Sequence, residues 1–134
     1  MKWTSAFVLA DLALLLPCAL FYCFPHDHFP RTYVREMGTL KAMIQIHAAQ
    51  EDYLREYGQY ASSLSELISS VPSSYTAPSS GYRFELQRHA PGYTLRATPS
   101  LCEKSARSFF SDQTGQIHQR ACPDRAGLHD ALVK

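Results

Sequence analysis

The first part of the chain is rich in apolar residues, and apolar and polar residues are mixed in the part that follows. Residues 5–24 read SAFVLADLALLLPCALFYCF and carry one charge, on Asp11. About 20 apolar residues are what an α-helix needs to cross the hydrocarbon core of a bilayer. The pattern therefore predicts a membrane span, followed by about 110 more polar residues that suffice for one modest core.

Two other interpretations of this segment stay open beside a retained membrane anchor. A cleaved secretory signal would use Lys2 as its basic start, but Pro17-Cys18-Ala19 is a poor cleavage site because proline stands where a small residue is wanted. A lipoprotein signal would need a small residue before the lipidated Cys18, but Pro17 stands there. A retained anchor fits the length, and Asp11 costs less near the interface than at the bilayer centre.

A second pattern, with apolar residues three or four positions apart, extends from Arg31 to Tyr57. The recurring residues are Tyr33, Met37, Leu40, Ile44 and Ala48, and Leu54 and Tyr57 continue their face. Such a stripe predicts an amphipathic helix that packs on a core, and Gly58 is well placed to end it. Together with the apolar run it predicts one long helix, bent at Pro25 and Pro30.

The residues after Gly58 predict a short helix and a loop. Ser63-Leu64-Ser65-Glu66 has the form of a capping box, in which a serine and a glutamate satisfy the free amides of a first turn. A short helix is therefore expected over Leu64 to Ser69. Residues 69–80 are rich in Ser and Pro and predict a loop.

Alternating residues predict a small antiparallel sheet in the last third of the chain. Strands 82–87 and 93–98 are expected to form a hairpin around Pro91-Gly92. Two further strands, 107–111 and 116–118, are expected on either side of a turn over residues 112–115. One face of this sheet is expected to cover the long helix.

The charge balance and the cysteines narrow the functional class. Thirteen Lys and Arg against twelve Asp and Glu give a net charge of +1, without the basic footprint of a nucleic-acid binder. Cys102 and Cys122 lie in the polar part of the chain, where a pair indicates an oxidising compartment. Cys18 and Cys23 lie within the apolar run and are expected to serve as small hydrophobic residues.

No catalytic or cofactor constellation is recognisable in the sequence. It contains no Gly-rich phosphate loop, zinc-ligand spacing or nucleophile elbow, so we expect a protein that is not an enzyme. His26 and His28 lack the further ligands that a metal site needs. Asp112 and Asp124, near Gly115, are candidate oxygen ligands for calcium, although Asp-x-x-Gly is first of all a turn signal.

The order of these elements and several short segments resemble the type IV pilins and the pseudopilins of type II secretion. AQEDYLREYGQYASSLSEL, residues 49–67, is similar to the family's helix end and the Tyr-Gly-x-Tyr-Ala turn after it. GYRFEL, GYTLRATP and SFFSDQTGQI resemble the hairpin and closing strand of that family. The resemblance implies an α+β, pilin-like fold: a long N-terminal helix, transmembrane in its first half, packed on a small antiparallel β-sheet.

The family also has a short basic leader that ends in Gly, before Phe-Thr-Leu-Ile-Glu at the start of the apolar helix. Here MKWTSA precedes FVLADL, so Phe7 and Leu9 match, Ala6 replaces the Gly and Asp11 replaces the Glu. The resemblance implies that a prepilin peptidase cleaves between Ala6 and Phe7 and methylates the new amine. Asp11 would then pair with the amine of a neighbouring subunit; the alternative is an anchor in which Asp11 snorkels to water.

The resemblance further implies a division of the chain and one crosslink. Residues 1–6 form the leader, 7–25 the transmembrane helix and 26–58 its amphipathic continuation. Residues 59–134 form an extracytoplasmic domain with a small helix, a β-hairpin region and a polar tail. Cys102 and Cys122 are implied to form a disulfide that holds the last strand to the domain; two separate buried thiols are the alternative.

These expectations describe a structural subunit, minor or accessory, of a type IV pilus-like or pseudopilus filament. The implied partners are other subunits through the N-terminal helix, the inner-membrane assembly machinery, a prepilin peptidase and membrane lipid, with no cofactor. The implied location is the bacterial inner membrane, with a cytoplasmic N-terminus and the C-terminal domain in the periplasm or outside. The alternative is a membrane-tethered binding or sensor domain of the same fold that does not polymerise.

Overall fold

The computed structural model describes residues 31–67, 71, 81–103 and 105–134. The predicted leader and membrane span fall outside these ranges. Within them, each helix is too short or too polar to cross a bilayer. The described part is an α+β unit in which one long helix packs on an antiparallel sheet.

The long helix, α1, comprises Arg31–Tyr57, close to the range that the apolar spacing predicted. Arg55 lies in its last turn, where a cation complements the negative end of the helix dipole. Gly58 has a φ of +71°, and its N–H donates to the Leu54 carbonyl at 2.8 Å. Glycine adopts this left-handed conformation without strain, so Gly58 ends the helix as expected.

A single turn of 3₁₀ helix, η1 (Leu64–Leu67), follows α1. The Glu66 carboxylate accepts hydrogen bonds from the Ser62 N–H at 3.0 Å and the Ser62 hydroxyl at 2.7 Å. The predicted capping role of Glu66 is therefore present, but its partner is Ser62 and not Ser63. Leu67 is buried and fixes this turn against the core.

The sheet has the order β1-β2-β3-β4-β5, and each strand pairs with the next in antiparallel fashion. The strands are β1 (Tyr82–His89), β2 (Gly92–Pro99), β3 (Arg107–Asp112), β4 (Ile117–Ala121) and β5 (Ala131–Leu132). The first four lie where the alternation predicted them, apart from a few residues at their ends. The sequence did not predict β5, which is too short to show any alternation.

The core lies between α1 and one face of this sheet. Strand pairing sets Leu86 opposite Leu95 and Ala97 opposite Phe109, so these four side chains share that face. The helix contributes Met43, Ile46 and Ala49, and the sheet adds Tyr82 and Tyr93. The expectation that one face of the sheet covers the long helix is confirmed.

Residues 122–130, here called the C-terminal strap, cross the opposite face of the sheet before β5. The Ser108 hydroxyl donates to the Asp124 carbonyl at 2.7 Å and accepts from the Ala126 N–H at 2.8 Å. Arg96 donates to the Ala126 carbonyl and lies over the ring of Phe110. The strap thereby buries Phe110 on the face that α1 does not cover.

Candidate functional site

The solvent side of α1 carries the apolar residues that the sequence assigned to the core. Tyr33, Met37 and Ile44 are 45%, 50% and 61% exposed, Ala48 is exposed, and Leu40 is half-buried. Leu40 packs against the core, as predicted. For the other four residues the prediction of packing on the core of the domain is wrong. We call these five residues the outer stripe. Their spacing of four, three, four and four keeps them in one row along the helix.

A second row of α1, offset from the first, meets the sheet. Its buried members are Glu36, Thr39, Ala42, Met43, Ile46, Ala49 and Gln50. The polar members are hydrogen-bonded: the Gln50 amide exchanges bonds with the backbone N–H and carbonyl of Ala61 at 2.8 and 3.1 Å. The Thr39 hydroxyl donates to the Arg35 carbonyl at 2.9 Å. Their burial therefore leaves few donors unsatisfied.

The solvent side of α1 changes character along its length. Beyond Ala48 the exposed residues of α1 are Glu51, Asp52, Arg55, Glu56 and Tyr57, and Asp52 pairs with Arg55 in the same turn. Charged residues of both signs are typical of a helix face that stays in water. Apart from Tyr57, the large exposed apolar side chains of α1 thus lie between Tyr33 and Ile44, in the half that follows residues 5–24 in sequence.

An ion pair fastens the start of α1 to the sheet. The Glu36 carboxylate, whose side chain is 5% exposed, accepts from the Arg107 backbone N–H and Nε, each at 3.0 Å, and from Nη2. Arg107 Nη1 also donates to the Gln119 side chain. The hydrogen bonds to Glu36 raise the pKa of Arg107. This ion pair fixes the orientation of the start of α1 relative to the sheet.

A polar contact joins the middle of α1 to β2. His47 Nδ1 and the Tyr93 hydroxyl form a short hydrogen bond, and Tyr60 packs edge-on against the Tyr93 ring. Burial raises the pKa of Tyr93, so its hydroxyl keeps its proton and donates to Nδ1. Burial lowers the pKa of His47, and the charge of Asp112 opposes this in part. Neutral His47 therefore holds its remaining proton on Nε2, a buried atom with no partner in the described part of the chain.

The two cysteines of the polar part are joined. Cys102, in the loop between β2 and β3, forms a disulfide with Cys122 at the end of β4, with 5.6 Å between their Cα atoms. Cys122 is the first residue of the C-terminal strap. The bond thus attaches the strap to the end of the sheet where α1 begins.

The two candidate calcium ligands are not brought together. Asp112 Oδ1 accepts from the N–H and the hydroxyl of Thr114, at 2.9 and 2.6 Å, and closes the turn after β3. The Asp124 carbonyl binds Ser108 near the other end of β3, about 13 Å away at the usual rise of a strand. Asp112 therefore acts as the turn residue that its spacing to Gly115 also predicted.

Ala6, Phe7 and Asp11, the candidate processing and assembly residues, lie outside the described residues. Comparison of the chain with protein families, curated proteins and solved structures found no match. The roles of Ala6, Phe7 and Asp11 stay predictions. Among the described residues, the candidate site is the outer stripe.

Sequence reasoning missed Glu36, Arg107 and His47. Glu36 lies in phase with Met43 and Ile46, which is the one signal that could have found it. An acid in phase with apolar residues is either exposed or paired with a cation, and the sequence could not say which of the many arginines pairs with it. The contact of His47 with Tyr93 joins residues 46 positions apart and had no local signal.

Proposed function

We propose that this chain is a structural subunit of a pilin-like filament, anchored before assembly by residues 5–24. The observation that carries the proposal is the outer stripe, in which the large side chains of Tyr33, Met37 and Ile44 are exposed to solvent. This row follows the apolar run in sequence. In this proposal both residues 5–24 and the outer stripe pack against other subunits.

The spacing of the outer stripe suits helix-to-helix packing. Apolar residues that alternate between three and four positions apart are those that interlock when two helices lie side by side. Large contiguous apolar patches are uncommon on proteins that act as monomers. The charged turn of Glu51, Asp52 and Arg55 marks the point where the packed part of α1 ends and the solvated part begins.

Asp11 has a defined part in this proposal. If Ala6 is removed, the amine of Phe7 and the carboxylate of Asp11 are the two charges near the start of an apolar helix. Each is costly in lipid when it is alone, so pairing between neighbouring subunits favours assembly. The β-sheet and the C-terminal strap then face outward, away from the bundle of helices.

The experiment replaces one residue of the outer stripe by an acid. Met37→Glu and Ile44→Glu place a charge in the proposed helix contact, whereas Leu128→Glu does so at a similarly exposed leucine of the C-terminal strap. We expect the two stripe variants to be lost from sheared surface filaments and retained in the membrane fraction. The Leu128→Glu variant is expected to assemble normally. Normal assembly of both stripe variants would contradict the proposal.

The second candidate is a membrane-tethered binding or sensor domain that does not polymerise. The replacement of Gly by Ala6 and of Glu by Asp11 at the leader favours it, because both positions depart from the resemblance. In that case the wild-type protein stays in the membrane fraction and is absent from sheared material. The same fractionation therefore separates the two candidates.

A further inference from the structure

The end of the domain where α1 begins is built around Glu103. Its carboxylate accepts from the Thr32 hydroxyl at 2.9 Å and from Arg35 Nη1 at 3.1 Å. Gly81 lies against the Arg35 side chain, since a Cβ there would lie 3.2 Å from Arg35 Cδ. The Ser100 N–H donates to the Gly81 carbonyl at 2.9 Å. Residues 100–103 are thereby fixed beside the first two turns of α1; we call them the basal loop.

The basal loop presents an apolar side chain to solvent. Leu101 is 70% exposed, the highest value among the large hydrophobic residues that the structure describes. Its neighbour Cys102 is crosslinked to Cys122, and the Glu103 N–H donates to the Leu101 carbonyl at 3.0 Å. The backbone around Leu101 is therefore braced, and its side chain is exposed.

The length of the preceding chain limits how far this end of the domain can lie from a bilayer. Six residues separate Phe24, the end of the apolar run, from Arg31, the start of α1. Even fully extended, they span at most about 25 Å, and in a more compact form much less. The same end of α1 carries Arg31, Tyr33 and Val34, all exposed. An arginine and a tyrosine that follow shortly after a membrane span are typical of residues at a membrane interface.

We propose that the basal loop, with Leu101 at its tip, inserts into the headgroup region of the membrane in which residues 5–24 are anchored. This inference rests on the membrane anchoring in the proposed function and adds a second contact with lipid. Leu101 gains by leaving water for the apolar side of the interface, and Arg31 meets the lipid phosphates. The domain then stands on the bilayer in a fixed orientation, with the C-terminal end of α1 pointing away.

The experiment uses a single tryptophan as a depth probe in the full-length protein. Trp3, the only tryptophan, is replaced by Phe, and Leu101→Trp or Leu128→Trp is added. Both positions are exposed, so neither change disturbs the core. Each protein is reconstituted into phosphatidylethanolamine and phosphatidylglycerol vesicles, with and without brominated acyl chains. Alkaline extraction first establishes that the protein is anchored.

We expect the indole at position 101 to emit at shorter wavelength in vesicles and to lose most of its emission to brominated lipid. The indole at position 128 is expected to keep its emission and to be quenched by acrylamide from the water. An indole at 101 that acrylamide reaches as easily as the one at 128 would overturn the basal contact and leave the anchor intact. An indole shielded from both quenchers would mean that protein, and not lipid, covers the loop.

Extraction of the protein by alkali would overturn the membrane anchor, and with it this inference. A further variant tests the bracing of the loop. Glu103→Gln keeps the size of the side chain but weakens its contacts with Thr32 and Arg35. Combined with Leu101→Trp, it is expected to reduce the quenching by brominated lipid, because the loop no longer holds position 101 at one depth. Unchanged quenching would show that the contact with lipid does not depend on the bracing.

Discussion

Glu36 is the most buried carboxylate in the described part of the chain, and it decides how the start of α1 is attached. Its oxygens bind both the backbone and the guanidinium of Arg107, so one side chain links the helix to the first residue of β3. A buried carboxylate without such partners would cost several kcal/mol. The pair is therefore needed once Glu36 is present, and it fixes the angle between helix and sheet.

Removing one partner of the Glu36–Arg107 pair should destabilise the fold much more than breaking an exposed ion pair on the same helix. Glu36→Ala leaves Arg107 without its carboxylate and should lower the free energy of unfolding by about 2–3 kcal/mol, less than for a fully buried pair because Arg107 is 39% exposed. Asp52→Ala, which breaks an exposed pair, should cost under about 0.5 kcal/mol. Urea unfolding of the full chain in detergent measures both, and equal effects would contradict this role of the Glu36–Arg107 pair.

His47 makes the stability of the domain depend on pH. Burial lowers its pKa below the ordinary 6.5, so the unfolded chain takes up a proton at a pH where the folded chain does not. The contribution of His47 is therefore complete above about pH 6.5 and is lost as the pH falls through the lowered pKa. Tyr93 and Asp112 face the imidazole, and the charge of Asp112 limits the shift.

His47→Gln should reduce the loss of stability that accompanies a fall in pH. The glutamine oxygen can still accept from the Tyr93 hydroxyl, but it does not titrate, so the slope of stability against pH below 6.5 should fall by up to about 1.4 kcal/mol per pH unit. The wild type, melted under the same conditions, is the reference. Thermal melting between pH 7.5 and 5 measures the slopes. A steeper slope in His47→Gln would contradict the assignment.

At the scale of the element, α1 shows why periodicity predicted a helix correctly and its orientation wrongly. Both rows of the helix repeat every three or four residues, so either could be the buried one. The outer stripe is the more apolar, and the buried row contains Glu36, Thr39 and Gln50. Only partners distant in sequence, such as Arg107 and Ala61, allow those polar residues to be buried. No local pattern reveals such partners.

Two isoleucines two positions apart test the orientation of α1 directly. Ile46 is fully buried, so Ile46→Ala should lower the free energy of unfolding by about 2–4 kcal/mol through lost burial and a cavity. Ile44 is 61% exposed, so Ile44→Ala should change it by less than about 0.5 kcal/mol. The comparison is matched in residue type and helix. The opposite order of effects would place the outer stripe in the core.

The C-terminal strap depends on the disulfide at its start. A bond between residues 20 positions apart should stabilise the fold by about 3 kcal/mol, mainly by restricting the unfolded chain. Adding a reductant should therefore lower the melting temperature of the wild type. The Cys102→Ser, Cys122→Ser double variant should melt at the lower temperature and show no response to reductant. A response in that variant would point to Cys18 or Cys23 instead.

At the scale of the whole molecule, several exposed apolar residues of the described part lie at the end where α1 begins. Tyr33, Val34, Met37 and the basal loop with Leu101 lie where α1 begins, while Glu51, Asp52 and Arg55 lie towards its other end, where Tyr57 is also exposed. The order of helix and hairpins was predictable because it follows local patterns. This polarity was not, because it arises from contacts such as Glu103 with Thr32, 71 residues apart.

The N-terminal residue of the protein in host membranes tests whether this polarity serves assembly. Cleavage between Ala6 and Phe7 would leave an amine that can pair with Asp11 of a neighbouring subunit, so the filament proposal expects a chain that starts at methylated Phe7. Ala6→Leu should block cleavage by crowding the position before the cut, whereas Asp11→Ala should be cleaved normally yet fail to enter filaments. Mass spectrometry of the membrane protein measures cleavage in the wild type and in both variants, and shearing measures whether Asp11→Ala enters filaments. A wild-type chain that starts at Met1 would favour the tethered domain, because an uncleaved leader keeps its charged amine away from Asp11.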